Sequence, residues 1–317
     1  MGEEMAVQSE TVGKPGMSLS LAQPERKQRT LWGDVWRRYR RHKLAMVGSL
    51  IFILLIFLVA FGPMLHTADP EYADILNASP ALTLEHPLGT DDIGRDTLAR
   101  NLYGGRISLS VGIFAMLVAI FIGTLIGLLS GFIPAFDAPL MRFTDMMLAL
   151  PQIPLLLVIS MLFRDTMRKW LGVEMGTFVL IVSVIGILAW MPTARVVRGA
   201  VLSVKEKEFV EAAVGIGSRR SIIMFKHILP NVLSPIIVSA TLGVAAAILT
   251  ESALSFLGLG FPPDVPTWGR LVVDGQPYLE LTPLVAVVPG ALISLTVLSI
   301  NFMGDGLRDA LDPRQRN

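Results

Sequence analysis

Polar and apolar positions along the chain fall into long uniform blocks and not into the two-residue alternation of a half-buried strand. Apolar runs occupy residues 44–65, 108–131, 138–163, 176–190, 232–257 and 281–302. Most match the roughly 20 helical residues that a bilayer core requires. The pattern predicts an all-α fold, a polytopic membrane protein with six transmembrane helices. The fourth run is short and meets Met191-Pro192, so its helix either stops there or continues past the proline with a kink. Pro151 and Pro154 interrupt the third run, where they either supply a kink for gating or are simply tolerated.

Composition agrees with a membrane solvent. Of 317 residues, 52% are hydrophobic and only 17% charged, with mean hydropathy +0.60, too apolar for a soluble domain of this length. The chain has 0 Cys, which excludes disulfides, thiolate metal sites and cysteine nucleophiles. Its histidines, His42, His66, His86 and His227, are scattered and form no HExxH pair. No catalytic residue, metal site or cofactor site is expected on this chain.

Charge assigns the sides. Residues 1–30 are polar and charged, with no short apolar core near Met1, and read as a disordered tail and not a signal peptide. Residues 31–43, LWGDVWRRYRRHK, are basic and aromatic; they form either an amphipathic helix lying in the interface or an ordinary positive flank. With the N-terminus inside, the tail, the turn at 131–142, the insert at 195–230 and the C-terminal tail at 304–317 are all cytoplasmic, and hold about twenty of the 27 Lys and Arg. Both termini are therefore expected in the cytoplasm. The transmembrane domain covers 44–303, with external loops at 66–107 and 258–280.

The insert between the fourth and fifth helices is unusual for a connector. In EFVEAAVGIGSRRSIIMFKHILPN (208–231), Phe209, Ala212, Ala213 and Ile216 fall at i, i+3, i+4 and i+7, one stripe of a short helix, with Glu208 and Glu211 on its wet side. Gly217 is placed to end that helix in a left-handed conformation. Ser218 starts a second helix, which Pro230 should interrupt. The stripe beds either in a partner's groove or against this chain's own helices.

Further residues stand out. Gly123, Gly127 and Gly131 recur every four positions, a face that permits close helix approach. Glu251, near the outer end of the fifth run, is expected at the interface or in a helix-helix hydrogen bond. The stretch 96–103, closed by Gly104, reads as a short helix on the outer surface. Asp91, Asp92 and Asp96 lack the glycine and glutamate of a calcium loop and read as a solvated helix start. Trp268, in a proline-rich loop, either meets an external partner or anchors at the interface. A secondary transporter would need matched broken helices or an intramembrane relay acid, and a membrane protease a Ser/His or paired-Asp site; neither set is found.

Glu211-Ala212-Ala213, Gly217 and Leu229-Pro230 together resemble the cytoplasmic EAA loop of permease subunits in binding-protein-dependent ABC importers. His227 replaces the isoleucine usual three places before the proline. HPLGTDDIGRDTLARNLYGGRISLSVG (86–112) and LSFLGLGFPPDVPTWGRLVVDG (254–275) are similar to the corresponding stretches of the dipeptide, oligopeptide and nickel permease family, in its C-type subunit. The resemblance spans about residues 30–315. It implies an inner-membrane, non-catalytic subunit that forms half of a translocation path, pairs with a B-type permease subunit, and works with two ATPase subunits holding ATP and Mg and with an external solute-binding protein. No nucleic acid is implied. Phe209, Glu211, Ala212, Ala213, Ile216, Gly217, Leu229 and Pro230 would couple to the ATPase. Consistent with an ATPase on another polypeptide, the chain contains no G-x-x-x-x-G-K-[ST] phosphate loop. Dipeptides or oligopeptides are the implied cargo, with nickel or another small solute as the alternative.

Overall fold

The computed structural model describes residues 31–79 and 81–312. The expected tail at 1–30 and the last residues of the C-terminal tail, 313–317, lie outside that range. Helix dominates the described residues, whose one β-like feature is an isolated bridge between Thr90 and Asp96. A basic helix α1 (Leu31–Arg41) leads into α2 (Lys43–Leu65), whose start is capped by His42, its Nδ1 accepting from the Ala45 N–H at 3.1 Å. After the 66–96 loop, α3 (Thr97–Phe132) runs for 36 residues, about 54 Å at 1.5 Å per residue. It is the central post of the bundle.

The expected surface helix at 96–103 is the first turns of α3, with Ala99, Arg100, Asn101 and Leu102 buried. Asp96 is its N-cap, accepting from the Ala99 N–H at 2.6 Å. No stop signal follows Tyr103, and Gly104 and Gly105 continue the helix because bulkier residues would strike the 258–267 loop and Trp268 there.

The third apolar run is two helices and not one kinked rod. α4 (Pro134–Ala149) and α5 (Gln152–Leu171) meet at 87°. Leu150 precedes a proline and is driven out of the helical region, with φ −74° and ψ 139°. Pro151 caps α5, and Pro154 falls in its first turn, where a missing N–H costs no bond. Gly172, at φ +83°, then turns the chain tightly into α6 (Val173–Leu188). α7 (Trp190–Lys205) follows at 41°. Of the two readings of Met191-Pro192, the helix continues past the proline with a bend, which lies just ahead of it. The bend falls at Ala189, so that Pro192 sits in the first turn of α7 and its ring meets no helical carbonyl.

A short helix α8 (Glu208–Gly215) precedes the segment α9 (Arg220–Ile222), a π turn (Ile223–Ile228), a 3-10 turn (Leu229–Val232) and α10 (Leu233–Phe256). Pro230 does not interrupt this axis, since 220–256 forms one helical rod. The π turn absorbs the proline: the Leu229 N–H reaches back five residues to the Met224 carbonyl, which widens the coil just ahead of the ring. α11 (Trp268–Gly275) and α12 (Leu284–Leu311) complete the chain, and α12 carries helix well into the segment expected as a tail.

Among the described residues, four helices are long and apolar enough to cross a membrane, and up to six spans result if each bent pair counts as one. They pack through small residues on α3. A β-carbon at Gly112 would lie 2.6 Å from Ile248 of α10, and one at Gly186 of α6 2.7 Å from Val118 of α3. Gly123, Gly127 and Gly131 line the seam with α7, where added β-carbons would lie 2.7, 2.6 and 2.7 Å from the β-carbons of Thr193, Val197 and Val201. Two ion pairs fasten α4 to α7: Arg195 binds Asp145, and Arg198 grips both oxygens of Asp137 at 2.5 and 2.8 Å. The bundle therefore has two distinct ends. One gathers α1, α8 and the end of α12, and the other gathers the 66–96 loop and the 257–283 segment.

Candidate functional site

α8 is built from both ends by local chemistry. Lys207, extended at φ −87° and ψ 142°, offers its carbonyl to the Val210 and Glu211 N–H groups. Glu208 and Glu211 in the first turn oppose the positive end of the helix dipole. At the other end Gly217 takes φ +75°, its N–H bonds the Val214 carbonyl at 2.9 Å, and the Ser218 N–H bonds the Ala213 carbonyl at 3.1 Å. That pair of bonds is the Schellman closure, which a β-branched residue resists. Nothing lies within 4 Å of a β-carbon at Gly217 or at Gly215, so Gly217 is needed for its backbone and not for room.

Two faces of α8 then diverge. Val210 and Ala213 point inward, into one apolar core with Leu128 of α3, Val197 and Val201 of α7, Ile223, Met224 and Ile228 of the π turn, and Ile236 of α10. Phe209, Ala212, Val214, Gly215 and Ile216 point outward, Ile216 being 82% exposed. Ile222 and Phe225 extend the exposed apolar surface beyond the turn. Of the predicted stripe, Phe209, Ala212 and Ile216 share the outer face, whereas Ala213 sits on the inner one. Glu211 is exposed, Leu229 packs at the edge of the inner core, and Pro230 is exposed. Val210, Val214 and Gly215 were not singled out by periodicity. An eight-residue helix with apolar residues on both sides has no single stripe to find.

The opposite end is bonded differently. Asp91 is buried and accepts from Arg95 Nε at 2.7 Å and Arg100 Nη1 at 2.6 Å, and Arg100 Nη2 also donates to the Pro263 carbonyl at 3.1 Å. Asp96, buried as well, accepts His86 Nδ1 at 2.7 Å and lies 3.0 Å from His66 Nε2. These two aspartates are therefore not a solvated cluster; Arg95 and Arg100 hold Asp91 inside, and His86 with the cap at Ala99 holds Asp96. Asp92 alone is exposed, and takes the Tyr278 hydroxyl at 2.9 Å. That bond and the carboxylate's charge hold the Tyr278 hydroxyl above the ordinary tyrosine pKa.

Trp268 is fully buried, its Nε1 donating to the Asn101 carbonyl at 3.0 Å and its backbone N–H to Ser108 Oγ at 3.1 Å. It neither anchors at an interface nor meets an outside partner, because α11 folds inward against α3 and α10. Glu251 is likewise fully buried. Its Oε1 accepts from Ser255 at 2.8 Å and from Thr267 at 2.9 Å, so the carboxylate ties α10 to the base of α11 and has no interfacial exposure. Among the described residues no cluster of His, Cys, Asp and Glu has the makeup of a metal site.

Comparison with known proteins bears on what such an arrangement serves. Residues 119–317 match the family model described as "Binding-protein-dependent transport system inner membrane component", and residues 30–81 match the N-terminal TM domain of oligopeptide transport permease C. The chain is 38% identical over 292 residues to the oligopeptide transport system permease protein OppC of Bacillus subtilis, covering 92% of each chain. It is 40% identical over 291 residues to the protein of the same name from Haemophilus influenzae, covering 91% of this chain and 90% of that one. With the glutathione transport system permease protein GsiD of Pectobacterium atrosepticum it shares 37% identity over 295 residues, 92% of this chain and 94% of the relative.

Proposed function

The chain belongs to the binding-protein-dependent transport system inner membrane components, as an OppC-type permease, and from that premise we propose that it carries di- or oligopeptides inward and is driven through α8. It is a multi-pass inner-membrane subunit and not an enzyme; the ATP is used by partner ATPase subunits. The finer reading is a heterodimer with a B-type permease subunit, two ATPase subunits, a solute-binding protein delivering cargo at the 66–96 end, and both termini with α8 in the cytoplasm. Peptide cargo is favoured because relatives named for oligopeptide, dipeptide and glutathione transport share one chemical class. Nickel or another small solute is the alternative.

The observation that carries the coupling role is the two-faced α8. Its outer apolar residues stand outside the spans, where exposed apolar area marks a docking surface. Its inner residues are part of the core that joins α3, α7 and α10. A cleft on the ATPase that accepted Phe209, Ala212 and Ile216 would therefore hold the ends of those three helices. Gly217 fixes the angle at which α8 leaves the bundle, Glu211 supplies a polar tie at its rim, Ala213 and Leu229 seat it on the inner core, and Pro230 offers an exposed edge beside it. ATP shifts the inward and outward populations only insofar as the closed ATPase dimer binds α8 better in one of them.

Photocrosslinkers placed at Ala212, Ile216 and Ala213 in native membranes test this. Adducts with a nucleotide-binding subunit are expected from Ala212 and Ile216 and not from the inward Ala213. Adducts confined to this chain from all positions would remove α8 from the ATPase interface. Orientation is tested separately by cysteines at Ser79 and Ser203, both exposed, which should react with an impermeant reagent from opposite sides of the membrane.

A further inference from the structure

At the α8 end, α1 stands apart from the coupling machinery. Five basic side chains, Arg37, Arg38, Arg40, Arg41 and Lys43, lie within seven residues. Only some of this charge is answered on the chain: Arg38 Nη1 donates to the Asp312 carbonyl at 3.3 Å, and Arg37 lies 3.8 Å from Asp34, with both groups exposed. Arg40 sits 6.0 Å over the ring of Trp36, which is 56% exposed and stacked on the buried Tyr39 at an interplanar angle of 15°. The Tyr39 hydroxyl is fixed at 2.5 Å from Ser49 Oγ of α2. Beside this shelf, Val35, Trp36, Tyr39 and Leu307 of α12 line an open apolar groove of about 260 Å³.

We propose that α1 and the end of α12 form a binding site for an anionic phospholipid, whose phosphate is held by Arg37, Arg40 and Arg41 and whose acyl chain lies along the Val35–Trp36–Tyr39–Leu307 groove. Depth favours a lipid over a protein surface. The hydrocarbon run of α2 begins at Leu44, and Leu44, Val47 and Leu50 are all exposed on its surface, so Arg40, Arg41 and Lys43 stand where headgroups lie. A tryptophan with a cation over its face is suited to that layer, apolar below and wet above, and several arginines there match the negative surface of anionic lipid. An acidic protein surface would satisfy the arginines and leave the groove without an apolar occupant. This inference rests on the membrane location alone, and fails or stands independently of α8 docking on an ATPase.

The test is native mass spectrometry of the full chain, exchanged into micelles with graded phosphatidylglycerol or phosphatidylcholine, with inorganic phosphate as a headgroup-only control. Wild type should retain one phosphatidylglycerol in preference to phosphatidylcholine and gain nothing from phosphate. The Arg37→Gln/Arg40→Gln/Arg41→Gln variant should bind phosphatidylglycerol on the order of a hundredfold more weakly, and Leu307→Asp should weaken it with every arginine in place. Arg40→Lys, which keeps the charge, should retain it, and thus separates lost binding from lost folding. Equal retention of the two lipids, or full retention by the triple variant, would overturn the proposal. Displacement by phosphate alone, or a crosslink from position 36 to an ATPase subunit and not to lipid, would do the same.

Discussion

The two ends of the bundle both expose apolar residues, Ile75, Leu76 and Leu84 at one and Ile216 and Phe225 at the other, but they differ in how they treat charge. At the 66–96 end, charged and polar groups are buried with partners on the same chain: Asp91 with Arg95 and Arg100, Asp96 with His86 and a backbone N–H, Glu251 Oε1 with Ser255 and Thr267, and Trp268 with Asn101. At the α8 end, Phe209, Val214, Ile216, Ile222 and Phe225 are turned outward beside an apolar inner core. Buried ion pairs of this kind are costly to separate, so the first end is built to hold one shape. Outward apolar surface of the second kind is stable only when covered. The buried ion pairs of Asp91 and the exposed apolar face of α8 thus lie at opposite ends.

Mutations at each end should separate these roles, beginning with the largest effect on the fold. Arg100→Ala leaves Asp91 buried with only Arg95, and should destabilise the protein by about 3–5 kcal/mol, read as lower accumulation in the membrane and a lower Tm in detergent. Gly127→Leu drives a side chain into Val197 and the Ala194 carbonyl, 2.6 and 2.7 Å from where its Cβ would stand; a loss of about 1–3 kcal/mol is expected by the same assay. Gly217→Val meets open space but must hold φ +75°, costing about 1–2 kcal/mol. Gly217→Asn should cost less, and only the valine variant should impair ATP-driven uptake. Ala212→Asp on the exposed face should change stability by no more than about 0.5 kcal/mol, yet abolish co-purification of the ATPase. If Ala212→Asp unfolds the chain and Arg100→Ala merely weakens partner binding, the contrast between the ends is wrong.

Much of this was legible in the sequence, and the parts that were not share a cause. Long apolar runs announce spans because hydrocarbon demands helices with all backbone bonds closed internally. Gly217 was legible because a left-handed residue after a short helix has few occupants. The break at Leu150-Pro151 was legible as a position but not as an 87° bend, since a proline sets where a helix fails and its neighbours set the angle. The inward turn of Ala213 and the burial of Trp268 were hidden because both depend on contacts with residues distant in the chain. Asp91 and Asp96 looked solvated although their partners, Arg95, Arg100 and His86, lie within ten positions; what was hidden is the packing that buries the group, such as the bond from Arg100 to Pro263, 163 positions away. In α8 itself, apolar residues on two sides left the sequence unable to say which side is a partner's.

Val197 and Val201 belong to two contacts at once. They are the side chains against which Gly127 and Gly131 of α3 close, and they also form the floor on which Val210 and Ala213 of α8 rest. At Gly127 and Gly131 themselves there is no side chain to rotate, and the valines that meet them are stiff at χ1. A joint of that kind has almost no play. A displacement imposed on α8 from outside would therefore press on the central post of the bundle through the same two side chains.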